Sequence, residues 1–205
     1  MLAVGKASLP KRSYCCCVIE TETHRLFFAL WPPEEALQAI DALADDALAC
    51  CGGRRTRRDN LHMTLAFIGS ASLEQSEILK AVAGTIRCAP FELQLDRMGY
   101  WPHNHIAWLG CSQMPSGQRR LFDCLSDGLA ATGFSLEKRK FAPHVTLLRK
   151  AHCDELPELL KQPIIWNVNS FALVESVLQT TGACYRTLER WPLFWGPDKK
   201  SAKGC

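Results

Sequence analysis

A short phrase occurs twice in this chain. The first copy is Leu61-His62-Met63-Thr64-Leu65-Ala66-Phe67 and the second is Pro143-His144-Val145-Thr146-Leu147-Leu148, with His144 82 residues after His62. Each reads histidine, apolar, threonine, leucine inside a run of apolar and β-branched residues, the pattern of a strand. Successive side chains of a strand alternate between faces, so each His shares a face with the Thr two places on, and the aliphatic residues take the other face. A single copy reads as an ordinary half-buried strand histidine held by a neighbouring hydroxyl. Two copies, each with an apolar middle residue and a following Leu, favour two strands that present two imidazoles and two hydroxyls to one cleft.

The order of elements agrees with a duplication. His24–Leu30 reads as a buried strand. Pro32-Pro33-Glu34-Glu35 starts a helix, with proline and acids placed for the positive end of its dipole, and Gly52-Gly53 ends it. The basic run Arg54-Arg55-Thr56-Arg57-Arg58 leads into the first His strand. Ser72 with Gln75 forms a capping box, and Ile78, Leu79, Val82, Ala83 and Ile86 form the inward stripe of that helix. Phe91–Asp96 alternates as a strand, and His105–Leu109 reads as another. A turn at Pro115-Ser116-Gly117 precedes a helix over 118–131, with Leu121, Leu125 and Leu129 inside. The second basic run, Lys138-Arg139-Lys140, precedes the second His strand. A short helix is expected near 154–161, a strand near 164–175 and a last strand near 183–190. The expected fold is α+β: two pseudo-symmetric lobes, each an antiparallel-rich sheet with helices packed outside, their His strands facing a central cleft.

No apolar run approaches the roughly 20 residues that cross a bilayer. A net charge of +3 is too small to argue nucleic-acid binding, so local clusters matter more than the total. The eleven cysteines are odd in number, several are adjacent, and none forms C-x-x-C. They are expected to be reduced thiols packed as small hydrophobes in a cytoplasmic protein, with spacings that do not suit zinc. Residues 1–23 carry Lys6, Lys11 and Arg12 before a short apolar stretch that is too brief for a signal peptide. They are expected to be a disordered extension, residues 24–195 a single two-lobed domain, and 196–205 a disordered tail. His103-Asn104-His105 has a metal-capable spacing without a carboxylate or Cys partner, so no metal site is assigned there.

His62-Met63-Thr64-Leu65 and His144-Val145-Thr146-Leu147 resemble the paired HxTx motifs of the two-histidine (2H) phosphoesterases. Arg25-Leu26-Phe27-Phe28-Ala29-Leu30, Asn60–Gly69, Pro143–Arg149, Tyr185-Arg186-Thr187-Leu188 and Trp191-Pro192-Leu193 narrow the resemblance. Together they are similar to the bacterial RNA 2′,3′-cyclic phosphodiesterases, also called 2′-5′ RNA ligases (LigT-like), over about residues 24–194. The resemblance implies hydrolysis of a 2′,3′-cyclic phosphate end to a 2′-phosphomonoester without metal or other cofactor. RNA ends or nucleotides bearing that group are the implied partners. No membrane association or obligate protein partner is expected, and a monomer is.

The residues suit that chemistry. Opening a cyclic phosphodiester needs a base to take a proton from water and an acid to protonate the leaving oxygen, and histidine serves either role near neutrality. Following the family, His62 is the proton donor and His144 the proton acceptor, while Thr64 and Thr146 donate to the non-bridging phosphate oxygens. Arg149 is a further phosphate candidate, although regular alternation would place it on the face opposite His144 unless the strand bulges. Phe27 is a candidate for stacking on a base, with core packing the competing reading. Two alternatives remain at this point: reversible 2′-5′ joining of tRNA halves, and a non-catalytic module that binds RNA ends. The two basic runs would gather positive charge at one rim of the cleft.

Overall fold

The computed structural model describes residues 24–134, 141–156, 158–179 and 182–194. The extension 1–23, the basic run Lys138-Arg139-Lys140 and the tail 196–205 lie outside the described residues. Among the described residues nine strands form one antiparallel sheet: β1 (His24–Leu30), β2 (Arg54–Arg55), β3 (Met63–Ala71), β4 (Phe91–Trp101), β5 (Ile106–Gly110), β6 (Val145–Arg149), β7 (Leu159–Val168), β8 (Ser170–Gln179) and β9 (Gly182–Pro192). Their spatial order is β7-β4-β5-β6-β3-β1-β8-β9, with β2 added beside β6. The two His strands are therefore neighbours at the centre, with three further strands outward on each side.

The lobes are not consecutive stretches of chain. One half holds β1, β3, β8 and β9, the other β4 to β7, so the chain begins in one half, crosses to the second and returns. What repeats is a strand–helix–His-strand unit: β1, α1 (Glu34–Cys51), β3 in one half, and β5, α3 (Ser116–Ala131), β6 in the other. Each helix makes contacts in the opposite half, α1 with β6 and β7 and α3 with β3, which holds the halves together.

Local sequence explains most boundaries. Helix α1 begins after Pro33 with Glu34 and Glu35 in its first turn, and it buries Ala36, Ile40, Ala44, Ala47 and Cys51 at helical spacing. It ends at Gly52, whose φ of 59° is open to glycine. Helix α2 (Leu73–Thr85) carries the expected capping box, Ser72 with Gln75. Its stripe is narrower than expected, because Ile78 faces solvent while Leu79, Val82 and Ala83 are buried. The core lies between the helices and the sheet face that carries Leu26, Phe28, Leu30, Met63, Leu93, Leu95, Val145 and Leu147.

Three expectations are corrected. No helix occupies the described part of 154–161; β7 starts at Leu159 and pairs with β4. Leu156, Leu159 and Leu160 mimic helical spacing, but Pro163 falls within β7, an edge strand, where proline is tolerated. The apolar run 164–175 is two strands broken at Asn169, where the chain passes from one half of the sheet to the other. Among the cysteines, Cys51 and Cys153 form a disulfide with Cα atoms 4.4 Å apart, tying the end of α1 to the segment after β6. Their separation of 102 residues hides the pair from any spacing rule. Cys50, Cys88, Cys111, Cys124 and Cys184 are free thiols.

Candidate active site

His62 and His144 stand one residue before β3 and β6. The strands meet through Met63 opposite Val145 in antiparallel register. That register sets position 62 across from 146 and position 64 across from 144, so each imidazole faces the other motif's threonine. Met63 and Val145 themselves are fully buried, which turns the His and Thr side chains to the other face.

Both rings are held in the same way. His62 Nδ1 lies 2.7 Å from the Asn60 carbonyl oxygen, and His144 Nδ1 lies 2.8 Å from that of Ala142. A carbonyl only accepts, so in each ring Nδ1 carries the proton and Nε2 presents a lone pair. His62 Nε2 is 3.1 Å from Thr64 Oγ1. The hydroxyl donates there.

The surroundings differ. His62 packs among Phe27, Trp31 and Tyr185, with ring centroids 5.1, 5.4 and 5.0 Å away. His144 meets the edge of Trp101 at 4.5 Å. Burial among these rings, with the charges of His144 and Arg149 adding, pushes His62 down to about 4. His144 is lowered too, by burial first and then by Arg149. Both are neutral bases near pH 7 in the free protein.

Arg149 does reach the cleft, and a bulge is the reason. In the β5–β6 ladder Trp108 pairs with Thr146 and Ala107 with Leu148, so Leu147 is skipped, and Ile106 then pairs with Arg149. The extra residue reverses the alternation and returns Arg149 to the face of Thr146. The β1–β3 ladder repeats the device: Ala29 pairs with Thr64 and Phe28 with Ala66, skipping Leu65, and Phe27 pairs with Phe67. Phe67 thus occupies in one half the place that Arg149 occupies in the other, and its ring is 59% exposed. Phe27 is 3% exposed, so it braces His62 from below and offers no free face to a base. The accessible aromatic beside Thr64 is Phe67, which strand alternation alone would have turned inward.

The cleft opens into a cavity whose walls include His62, Thr146, Arg149, Arg54 and Tyr185. The basic run contributes only in part. Arg55 is bound to Asp41 at 2.7 Å and Asp45 at 2.5 Å, and Arg58 to Glu34 at 2.5 Å and Asp41 at 3.2 Å. These guanidiniums fasten the loop to α1. His103 and His105 do not converge on a metal position: His103 lies against Trp101, while His105 bonds the Tyr100 hydroxyl and sits near His152. Trp101 is a site residue that sequence reasoning did not name, and Tyr185 was named only within the resemblance, with no role. Neither lies near a motif in sequence, and only strand pairing brings them in.

Comparison with known proteins identifies the family and the fold. The family model of the 2′-5′ RNA ligase superfamily matches residues 32–179. A protein of Escherichia coli strain K12, named RNA 2′,3′-cyclic phosphodiesterase, is 36% identical over 175 residues, covering 84% of this chain and 98% of that protein. One of the same name from Thermus thermophilus is 29% identical over 191 residues, covering 88% and 96%. The crystal structure of E. coli LigT complexed with 3′-AMP superposes with a TM-score of 0.78 at 35% identity, covering 84% of this chain and 99% of that one.

Proposed function

The chain belongs to the 2′-5′ RNA ligase superfamily of 2H phosphoesterases, and from that membership we propose that it hydrolyses RNA 2′,3′-cyclic phosphodiester ends to 2′-phosphomonoesters by two-histidine acid–base catalysis. The observation that carries the reading is the matched pair of imidazoles, each with Nδ1 fixed on a backbone carbonyl two residues earlier. Fixing Nδ1 leaves Nε2 as the one ring atom able to exchange a proton with a ligand.

His144 Nε2 takes a proton from the attacking water as its oxygen bonds to phosphorus. His62 Nε2, protonated, gives its proton to the departing O3′, leaving the phosphate on O2′. His62 arrives at the charged form through the substrate: a bound phosphate anion favours the protonated ring against the burial that chiefly, and the Arg149 charge that additionally, hold its affinity for protons down. Thr64, Thr146 and Arg149 hold the non-bridging oxygens, which gain charge as the water attacks. The donor and acceptor roles follow the family pattern and exchange in the reverse, joining direction.

Among the described residues no helix is long and apolar enough to cross a membrane. The Cys51–Cys153 bond removes the free-thiol argument for a reducing compartment, so a cytoplasmic setting rests on the RNA substrate. The E. coli relative was solved with 3′-AMP and with ATP, which supports nucleotide-sized occupants for the cleft. The test is protein treated with EDTA, a nucleoside 2′,3′-cyclic phosphate and identification of the product. A 2′-phosphate is expected; a 3′-phosphate, or no turnover at any pH, overturns the reading.

A further inference from the structure

Arg54 and Arg149 stand directly opposite each other in the β2–β6 ladder. Cross-strand partners share a face, and like charges placed this way repel. Among the described residues neither has an acidic partner, whereas Arg55 and Arg58 in the same run are fastened to Asp41, Asp45 and Glu34. Both Arg54 and Arg149 line the cleft cavity, and Arg57 lines it as well, its pairing with Asp59 a loose surface one at 3.8 Å. Thr56, between Arg54 and Arg57, also lines the cavity, and its buried hydroxyl has no partner among the described residues.

The fold holds these charges close on purpose-built backbone. Gly53 lies so near β6 that a Cβ there would meet the Lys150 and Arg149 carbonyl oxygens at 2.7 and 2.8 Å. Its φ of 89° also favours glycine. Thr56 N bonds the Leu147 carbonyl oxygen at 2.8 Å, extending the pairing past the bulge. Two unneutralised guanidiniums on one face, pinned side by side by backbone pairing, suit a ligand that carries more than one anionic group.

Arg149 adjoins the motif residues and belongs to the reacting phosphate. The geometry points to Arg54, with Arg57 and the Thr56 hydroxyl, as the subsite for a second phosphate, the one on the 5′ oxygen of the terminal nucleotide. The inference rests on the cyclic phosphodiesterase reading above and specifies its substrate class: ends that continue into an RNA chain or carry a 5′-phosphate are preferred to a bare nucleoside cyclic phosphate.

Two substrates decide it, adenosine 2′,3′-cyclic phosphate and the same compound with a 5′-phosphate. The full chain is expected to favour the 5′-phosphorylated compound by about tenfold in kcat/KM. In Arg54→Gln that ratio falls towards one, and in Arg54→Lys, which keeps the charge, most of it is retained. A wild-type ratio near one, or an unchanged ratio in Arg54→Gln, overturns the subsite. If Arg54→Gln fails to fold, the salt dependence of the wild-type ratio decides: a subsite built on charge loses its preference as salt rises, and a salt-independent ratio overturns it. No turnover of either compound would instead overturn the catalytic reading itself.

Discussion

Met63 lies directly opposite Val145 in the β3–β6 ladder, and both side chains are fully buried on the helix side of the sheet. This pair is the pseudo-twofold centre of the site, because the residues flanking it are His62 and Thr64 on one strand and His144 and Thr146 on the other. A slip of one residue by either strand would turn its histidine into the core.

Removing either imidazole should abolish most turnover. His62→Ala and His144→Ala are each expected to lower the rate on a 2′,3′-cyclic nucleotide by about 10²–10⁴-fold, measured by product formation, with melting checked for each variant. Undiminished turnover in either would refute the acid–base pair.

Burial lowers both histidines, and the Arg149 charge lowers them further. Arg149→Gln should therefore raise both midpoints in an NMR titration of the ring protons, and the acid limb of kcat/KM should move to higher pH with them. Unmoved midpoints would place the guanidinium too far away to act on the phosphate.

The same shifts make stability depend on pH. With His62 near 4 when folded and near 6.5 when unfolded, the unfolded chain binds more protons between those values, so stability falls as pH drops from 6.5 towards 4. Replacing His62 by Gln should flatten that part of the profile in denaturant titrations at pH 7 and 5. An equal loss in wild type and variant would contradict the burial of His62. The lowered carboxyls of Asp41, Asp96 and Glu175 lose their contribution at lower pH, below the ordinary carboxylate range.

Gly99 faces Trp108 across the β4–β5 ladder, and a Cβ on it would come within 2.2 Å of the indole. Trp108 backs Trp101 at 5.4 Å, and Trp101 meets His144. Gly99→Ala should displace the indole and destabilise the fold by about 1–3 kcal/mol, read from denaturant midpoints and a shift in tryptophan emission. Unchanged stability and emission would show that the strand yields freely.

Phe67 offers an exposed ring beside Thr64. Stacking on a base is worth about 1–3 kcal/mol, so Phe67→Ala should raise KM for adenosine 2′,3′-cyclic phosphate by about tenfold or more with little change in kcat. Equal KM values would leave the ring without a substrate role.

The sequence carried the motif residues, the capping box and the α+β class because each is written in local pattern: alternation, Ser72 with Gln75, glycines after a helical stripe. It could not carry the bulges at Leu65 and Leu147, since an extra residue in a ladder is defined only against its partner strand. Arg149 and Phe67 come to the face of the motif threonines only through those bulges, so the first stayed a candidate conditional on a bulge and the second was passed over in favour of the buried Phe27. The Cys51–Cys153 bond and the sharing of strands between halves were hidden for the same reason, that they depend on contacts distant in sequence. Likewise the basic run looked uniform, although Arg55 and Arg58 are bound to acids of α1 and Arg54 is not.

A 2′,3′-cyclic phosphate is itself nearly symmetric, since its two ester oxygens differ only in the ring carbon that bears them. A cleft with two equal halves would set the same groups beside O2′ and O3′. The repeated bulge delivers a benzyl group on one flank and a guanidinium on the other. That mismatch makes the two flanks of a twofold scaffold chemically unlike.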